Sequence, residues 1–265
     1  KLYDFANSDL PDEQILDAFI KAKLPERLNS DLLSFCNVLK NPIAVRSSSL
    51  LEDSYYQPFA GIYSTYMIPK IEDNDDLMIL LISNAIKSVY ASVFYKESKA
   101  YMSQTLNVID EERMAVVLQE VVGSKYNEVF FPCVSGVARS INFYPVGNEK
   151  PEEGICNLAF GLGKSIVDGG ASIRFSPSHP NKIIQLSSPA LALRDTQKYL
   201  YALSLNPSQF IPSIDDSINL SRMPIKEVEK SKVFNSVVSY YDLQENSLKE
   251  FKAERSIPVI TFSKF

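Results

Sequence analysis

The chain has 265 residues, 45% of them hydrophobic and 22% charged, a composition that supports a packed core and excludes wholesale disorder. Acidic residues outnumber basic ones, 32 against 27, for a formal net charge of −5. That balance excludes a general electrostatic attraction to nucleic acid or to an anionic membrane, so any phosphate ligand must be held by a local cluster of donors.

In chain order, Asp12 to Ala22 places Ile15, Leu16, Phe19 and Ile20 on one stripe, which predicts an amphipathic helix, and Asn29 to Leu39 repeats the pattern. Ile43, Ala44 and Val45 predict a short buried strand that runs into a cluster of hydroxyls. Leu77 to Met102 is the longest helical stretch, with Leu80, Leu81, Ala85, Val89, Val93 and Phe94 expected on one side, packed against a sheet. Met114 to Val122 is almost continuously apolar and β-branched, as a central strand buried on both faces would be. Val129–Phe131, Gly136–Ser140, Ile155–Ala159 and Ile257–Phe262 are further strand candidates. Helices followed by short strands predict a mixed α/β or α+β fold of one large domain or two coupled lobes.

The longest apolar runs, Met78 to Ile82 and Met114 to Leu118, fall short of the ~20 residues of a membrane helix, so no membrane partner is expected. Lys1 to Asn7 shows no signal-peptide pattern, and both ends read as cuts in a longer polypeptide. Three widely spaced cysteines, Cys36, Cys133 and Cys156, fit reduced buried thiols and a cytoplasmic location. All nine glycines lie between Gly61 and Gly170, which concentrates loop chemistry in the middle of the chain. From Pro177 onward come seven of the fifteen prolines, a composition suited to a connecting region.

Three clusters could carry chemistry. In IAVRSSSLLED (Ile43 to Asp53), a strand delivers Arg46 and then Ser47, Ser48 and Ser49. A guanidinium can fork onto two phosphate oxygens and hydroxyls can donate beside it, although the same residues could be a surface pair of Arg46 with Glu52 or Asp53 and serines that cap a helix. Gln119 and Glu120 interrupt an apolar strand, where they could meet the edge of a purine or simply alternate toward solvent. Gly161-Leu162-Gly163-Lys164, preceded by Glu152 and Glu153 and followed by Val167-Asp168-Gly169-Gly170, is neither a P-loop nor a dinucleotide fingerprint, and its glycines could be plain turns. Together the three supply a phosphate clamp, a purine seat and a metal carboxylate.

IAVRSSSLLED followed by FAG (Phe59 to Gly61) resembles the signature of the ATP-binding domain of the phosphoenolpyruvate synthase and pyruvate phosphate dikinase family. The likeness continues in order through ASVFYKESKAY (Ala91 to Tyr101), MAVVLQEVVG (Met114 to Gly123), SGVARSINFYP (Ser135 to Pro145), GLG (Gly161 to Gly163) and VDGG (Val167 to Gly170). The resemblance implies an ATP-grasp fold of two lobes with the nucleotide site between them. It implies residues 1–118 as the first lobe, 119–195 as the second and 196–265 as a connecting tail. It also implies MgATP as cofactor and phosphoryl transfer to a histidine on another domain, with pyruvate or another acceptor reached through further domains.

By matched position Arg46, Ser47 and Ser48 would bind phosphates, with Arg46 the catalytic candidate. Gln119, Glu120 and Val122 would seat the nucleotide, and Glu152 or the adjacent Glu153 would hold Mg²⁺. The sequence departs from the family pattern in three ways: a glycine-rich GGK loop is not in this chain, the phosphocarrier histidine domain is not in it, and Lys164 stands where an acidic or amide residue follows GLG. Lys164 could itself neutralise phosphate. The alternative reading is a degenerate ATP-grasp module that senses nucleotide without phosphotransfer, and a third is a purely structural interaction domain. His179, in a turn-like loop, carries no assigned role, and Arg174 could reach phosphates or form a structural ion pair.

Overall fold

The structure is a computed structural model that describes residues 2–49, 61–104, 113–167 and 169–264. The chain divides into two compact units, Lys1–Val122 with Leu203–Leu220, and Gly123–Ala202 with Ser221–Phe265. Each is mixed helix and sheet, as the α/β expectation requires.

The first unit contains α1 (Leu2–Ala6), α2 (Asp12–Lys21), α3 (Glu26–Val38), β1 (Ile43–Ser49), β2 (Thr65–Ile68), α4 (Asp75–Ser92), α5 (Lys96–Gln104) and β3 (Met114–Glu120). Its three-stranded sheet runs β2-β1-β3, antiparallel throughout. Asn74 starts α4 by accepting the Leu77 N–H at 2.9 Å, and Asp75 and Asp76 complement the helix dipole in the first turn. One side of α4 supplies Met78, Leu81, Ile82, Ala85, Ile86 and Val89 to a core shared with Ile43, Val45, Tyr66 and Ile68. Farther along, Ala91 packs with Ile15, Leu16 and Phe19 of α2. Neighbours on two sides explain why α4 is apolar around most of its circumference. The stretch Asp75–Ser103 is long and apolar enough to cross a membrane by length and composition, but 61% of its most apolar window is buried within the protein; it is a core helix.

Three expectations are corrected here. Leu80 lies outside the packed stripe and is 53% exposed. The long helix breaks at Val93–Tyr95, where a carboxylate oxygen of Asp12 accepts the N–H of Lys96 at 2.9 Å and caps α5 from a distant element. β3 is a sheet edge, not a doubly buried centre: Met114, Val116 and Leu118 lean on the α4 side, while Ala115, Val117 and Gln119 are exposed. The described helices cover one face of this sheet within the unit, so alternate side chains of β3 stay in water.

Residues 203–220 fold with the first unit. Phe210 enters its core, Asp216 accepts the Thr65 N–H at 2.9 Å, and the Tyr66 hydroxyl donates to the Ser213 carbonyl at 2.8 Å. The Asn219 amide donates to the Met67 carbonyl. These contacts satisfy polar groups along β2, an edge strand that would otherwise be open to pairing.

The second unit contains β4 (Ser124–Tyr126), β5 (Val129–Phe131), β6 (Ser135–Arg139), β7 (Ile155–Ala159), α6 (Lys164–Val167), β8 (Ile173–Phe175), α7 (Pro189–Asp195), β9 (Tyr199–Ser204), β10 (Leu220–Pro224), α8 (Phe234–Val237), β11 (Val238–Asp242), β12 (Ser247–Lys249) and β13 (Ser256–Ile260). The sheets run β10-β9-β5-β4, β6-β7-β8 and β12-β11-β13. Phe131, Phe160 and Phe234 meet edge to face, with centroids 5.6 and 6.3 Å apart, at the centre of a core that also holds Leu200, Val238 and Ile260. The stretch 196–265 thus carries five strands and contributes core residues, where the sequence suggested a connecting tail.

Candidate functional site

β1 delivers the Arg46 cluster to the sheet with burial alternating from Val45 onward; Ala44, on the face of Arg46, is also buried. Ile43, Val45, Ser47 and Ser49 are buried, whereas Arg46 and Ser48 are exposed. The register sets Arg46 opposite Thr65 and Val117, Ala44 opposite Gln119, and Ser48 opposite Ala115. Arg46, Ser48 and Gln119 therefore share one face and are exposed on it, with Gln119 diagonal to Arg46 and within reach of its long side chain. Among the described residues Arg46 has no ion-pair partner; Glu52 and Asp53 of the surface-pair reading lie outside the described residues, as do Phe59 and Ala60 of the FAG block.

The other candidates in this unit separate from that face. Ser47 turns to the core side of β1, a consequence of the period of two, so its side chain is not presented beside Arg46. One carboxylate oxygen of Glu120 accepts the backbone N–H groups of Lys40 and Asn41, both at 2.9 Å, and those donors hold its pKa below the usual carboxylate range. Glu120 therefore fastens the turn that leads into β1, helped by the Val121 N–H on the Pro42 carbonyl at 2.8 Å. Val122 is 81% exposed.

In the second unit, GLG follows β7. Gly161 has φ +87°, and a Cβ there would lie 2.7 Å from the Tyr201 carbonyl oxygen and 2.9 Å from the Leu200 Cβ. Only glycine passes this turn without displacing backbone. The Leu162 N–H donates to the Tyr201 carbonyl at 2.8 Å, and the Gly163 carbonyl accepts from Ile166 and Val167 to open α6, with Lys164 its first residue. Sequence reading missed Gln197, which is buried, accepts the Phe160 N–H at 2.8 Å and donates to the Phe160 and Tyr199 carbonyls at 2.7 Å each. A glutamine near the start of a strand carries no signal of such a role.

Glu152 and Glu153 sit on a single 3-10 turn, Pro151–Glu153. Glu152 is exposed. Glu153 is engaged: it accepts from the Lys150 N–H at 3.1 Å and the Ser176 hydroxyl at 3.4 Å, and lies 3.6 Å from His179 Nε2. Among the described residues no group of three His, Cys, Asp or Glu side chains converges as a metal cage. Arg174 donates to the Asn142 side chain at 2.8 Å and the Tyr144 carbonyl at 2.7 Å, with Glu149 4.0 Å away, which is the structural pairing rather than a free cation. All three cysteines are free thiols; Cys36 is fully buried, and burial pushes its pKa up.

A family model described as pyruvate phosphate dikinase, AMP/ATP-binding domain, matches residues 4–192. The chain belongs to that family. It is 29% identical over 163 residues to an uncharacterized phosphotransferase, YvkC, of Bacillus subtilis (strain 168), and 27% identical over 165 residues to a phosphoenolpyruvate synthase of Aeropyrum pernix. These alignments cover 60% and 59% of this chain but 17% and 18% of the relatives, so the chain spans less than a fifth of the length of either.

Proposed function

We propose that the chain is the ATP-binding module of a phosphoenolpyruvate synthase or pyruvate phosphate dikinase-like phosphotransferase, and that its two units are the lobes of an ATP-grasp fold. The observation that carries this reading is the common exposed face of Arg46, Ser48 and Gln119, in a chain whose family is an AMP/ATP-binding domain. Arg46 forks onto phosphate oxygens and Ser48 donates beside it. Gln119 reads the base edge, the exposed Val122 offers it apolar surface, and Glu120 with Ser47 positions the strand ends.

Mg²⁺, when bound, neutralises phosphate charge. Glu152 is the carboxylate available to it, since Glu153 is occupied by His179 and Ser176. In the whole protein the phosphoryl group passes to a histidine on another domain: the phosphorus–oxygen bond to the nucleotide breaks as a phosphorus–nitrogen bond to the imidazole forms. Pyruvate is the proposed final acceptor.

Replacing Arg46 with alanine tests the clamp. A charge-assisted contact is worth about 1.5 to 3 kcal/mol, so Arg46→Ala should weaken ATP binding by that amount in calorimetric titration and leave adenosine binding nearly unchanged. Equal losses for the two ligands would make Arg46 a structural residue. A second reading, a nucleotide sensor without phosphotransfer, is favoured by Lys164 after GLG and by the engagement of Glu153. Phosphohistidine formation in the full-length protein on addition of ATP decides between the two.

A further inference from the structure

A cleft of about 400 Å³ lies wholly within the second unit and shares no residue with the Arg46 group. Arg194, Lys198 and Arg222 line it together with a single described carboxylate, Asp195, an excess of two positive charges in a chain whose net charge is −5. Asp195 is spent on Arg194, which it binds through both oxygens at 2.5 and 2.8 Å. Lys198 donates to the Leu193 carbonyl; partial burial of its ammonium lowers its pKa, against the opposing pull of the Asp195 carboxylate. Arg222 lies over the Tyr199 ring, 4.2 Å from its centroid, and has no carboxylate partner among the described residues. Stacking fixes the guanidinium plane and leaves its N–H edges for an in-plane, two-oxygen acceptor. Ser165, Thr196 and Tyr201 also line it. The wall is built tightly: the Gly170 N–H donates to the Ser165 carbonyl at 2.7 Å, and a Cβ on Gly170 would lie 2.8 Å from that oxygen.

We propose that this cleft binds a small phosphate-bearing anion through the stacked Arg222 and Lys198. The lining carries two more cations than carboxylates, Arg222 has no described carboxylate partner, a forked guanidinium suits phosphate oxygens, and the volume admits a small molecule but not a peptide. The assignment stands independently of the nucleotide reading.

The test is titration of the intact chain with inorganic phosphate, pyrophosphate and malonate at low ionic strength, followed by amide chemical shifts. Saturable shifts are expected at Lys198 to Tyr201 and at Arg222 with both phosphates, with affinity at least tenfold lower in Arg222→Gln and lower also in Arg222→Lys, which keeps the charge but loses the fork. Arg222 belongs to the exposed surface, so both variants should fold as the parent does, which their thermal melts check. Arg46→Ala should leave the binding unchanged. Unaltered phosphate affinity in Arg222→Gln, loss confined to Arg46→Ala, no saturable binding, or malonate binding as tightly as phosphate would each overturn the assignment.

Discussion

A buried turn that has no room for one methyl group makes a sharp prediction at Gly161. Gly161→Ala must both hold φ near +87° and push against the Tyr201 carbonyl; the left-handed conformation alone costs about 1 to 2 kcal/mol, and the overlap adds to it. Thermal denaturation should show a loss of at least that size, and an unchanged midpoint would mean the loop refolds around the methyl. Glu120 gives a prediction with a sign. Its folded pKa is depressed by the Lys40 and Asn41 N–H groups, so its contribution is present above the ordinary carboxylate pKa and lost as pH falls through the folded value. Glu120→Gln should therefore flatten the acid limb of the stability profile and leave the neutral and alkaline limbs parallel to the parent's. At Lys164 the charge differs by two units from the carboxylate that the resemblance implies. ATP binding should consequently lose less than about tenfold, 1.4 kcal/mol, when Mg²⁺ is removed, and Lys164→Glu should restore a larger dependence. A strong Mg²⁺ requirement in the unaltered protein would show that Glu152 and its neighbours already complete the metal site.

At the scale of elements, α4 shows both what periodicity reveals and what it misses. Leu81, Ala85 and Val89 recur at helical spacing and are buried as that spacing predicts, but Leu80 obeys the same arithmetic less well and points to water. Ile82→Ala should cost about 2 to 5 kcal/mol as a fully buried position, while Leu80→Ala should stay within about 0.5 kcal/mol; similar losses on denaturant melts would contradict the placement. β3 misled for a different reason. Apolar side chains fill both of its faces in the sequence, yet Val117 remains exposed because no described helix of its unit covers that side. The alternation in β1 follows from a strand's period of two, yet the sequence reading groups Ser47 with Ser48 beside Arg46, and the structure separates them. The break before α5 was not legible, because its cap, Asp12, lies 84 residues away in sequence. Gln197 was hidden for the same reason: its partners Phe160 and Tyr199 are brought to it by folding, not by any local pattern.

For the whole molecule, the return of residues 203–220 to the first unit means that the unit is discontinuous in sequence, interrupted by Gly123–Ala202 of the second unit. A fragment ending at Ala202 leaves β2 without Asp216, Ser213 and Asn219 and the core without Phe210. It should not show the cooperative melting transition of the 265-residue chain; a fragment with the same midpoint would show the return segment to be dispensable. The family match ends at residue 192; beyond it, residues 203–220 join the first unit and the strands β9 to β13 the second, where composition suggested a connecting region. The central claim, that the face bearing Arg46, Ser48 and Gln119 receives ATP, is tested most directly by mapping amide chemical shifts of the intact chain during titration with MgATP. The account predicts saturable shifts at Arg46 to Ser48 and Gln119 to Val122 that vanish in Arg46→Ala; saturable binding that leaves β1 and β3 unperturbed would contradict it.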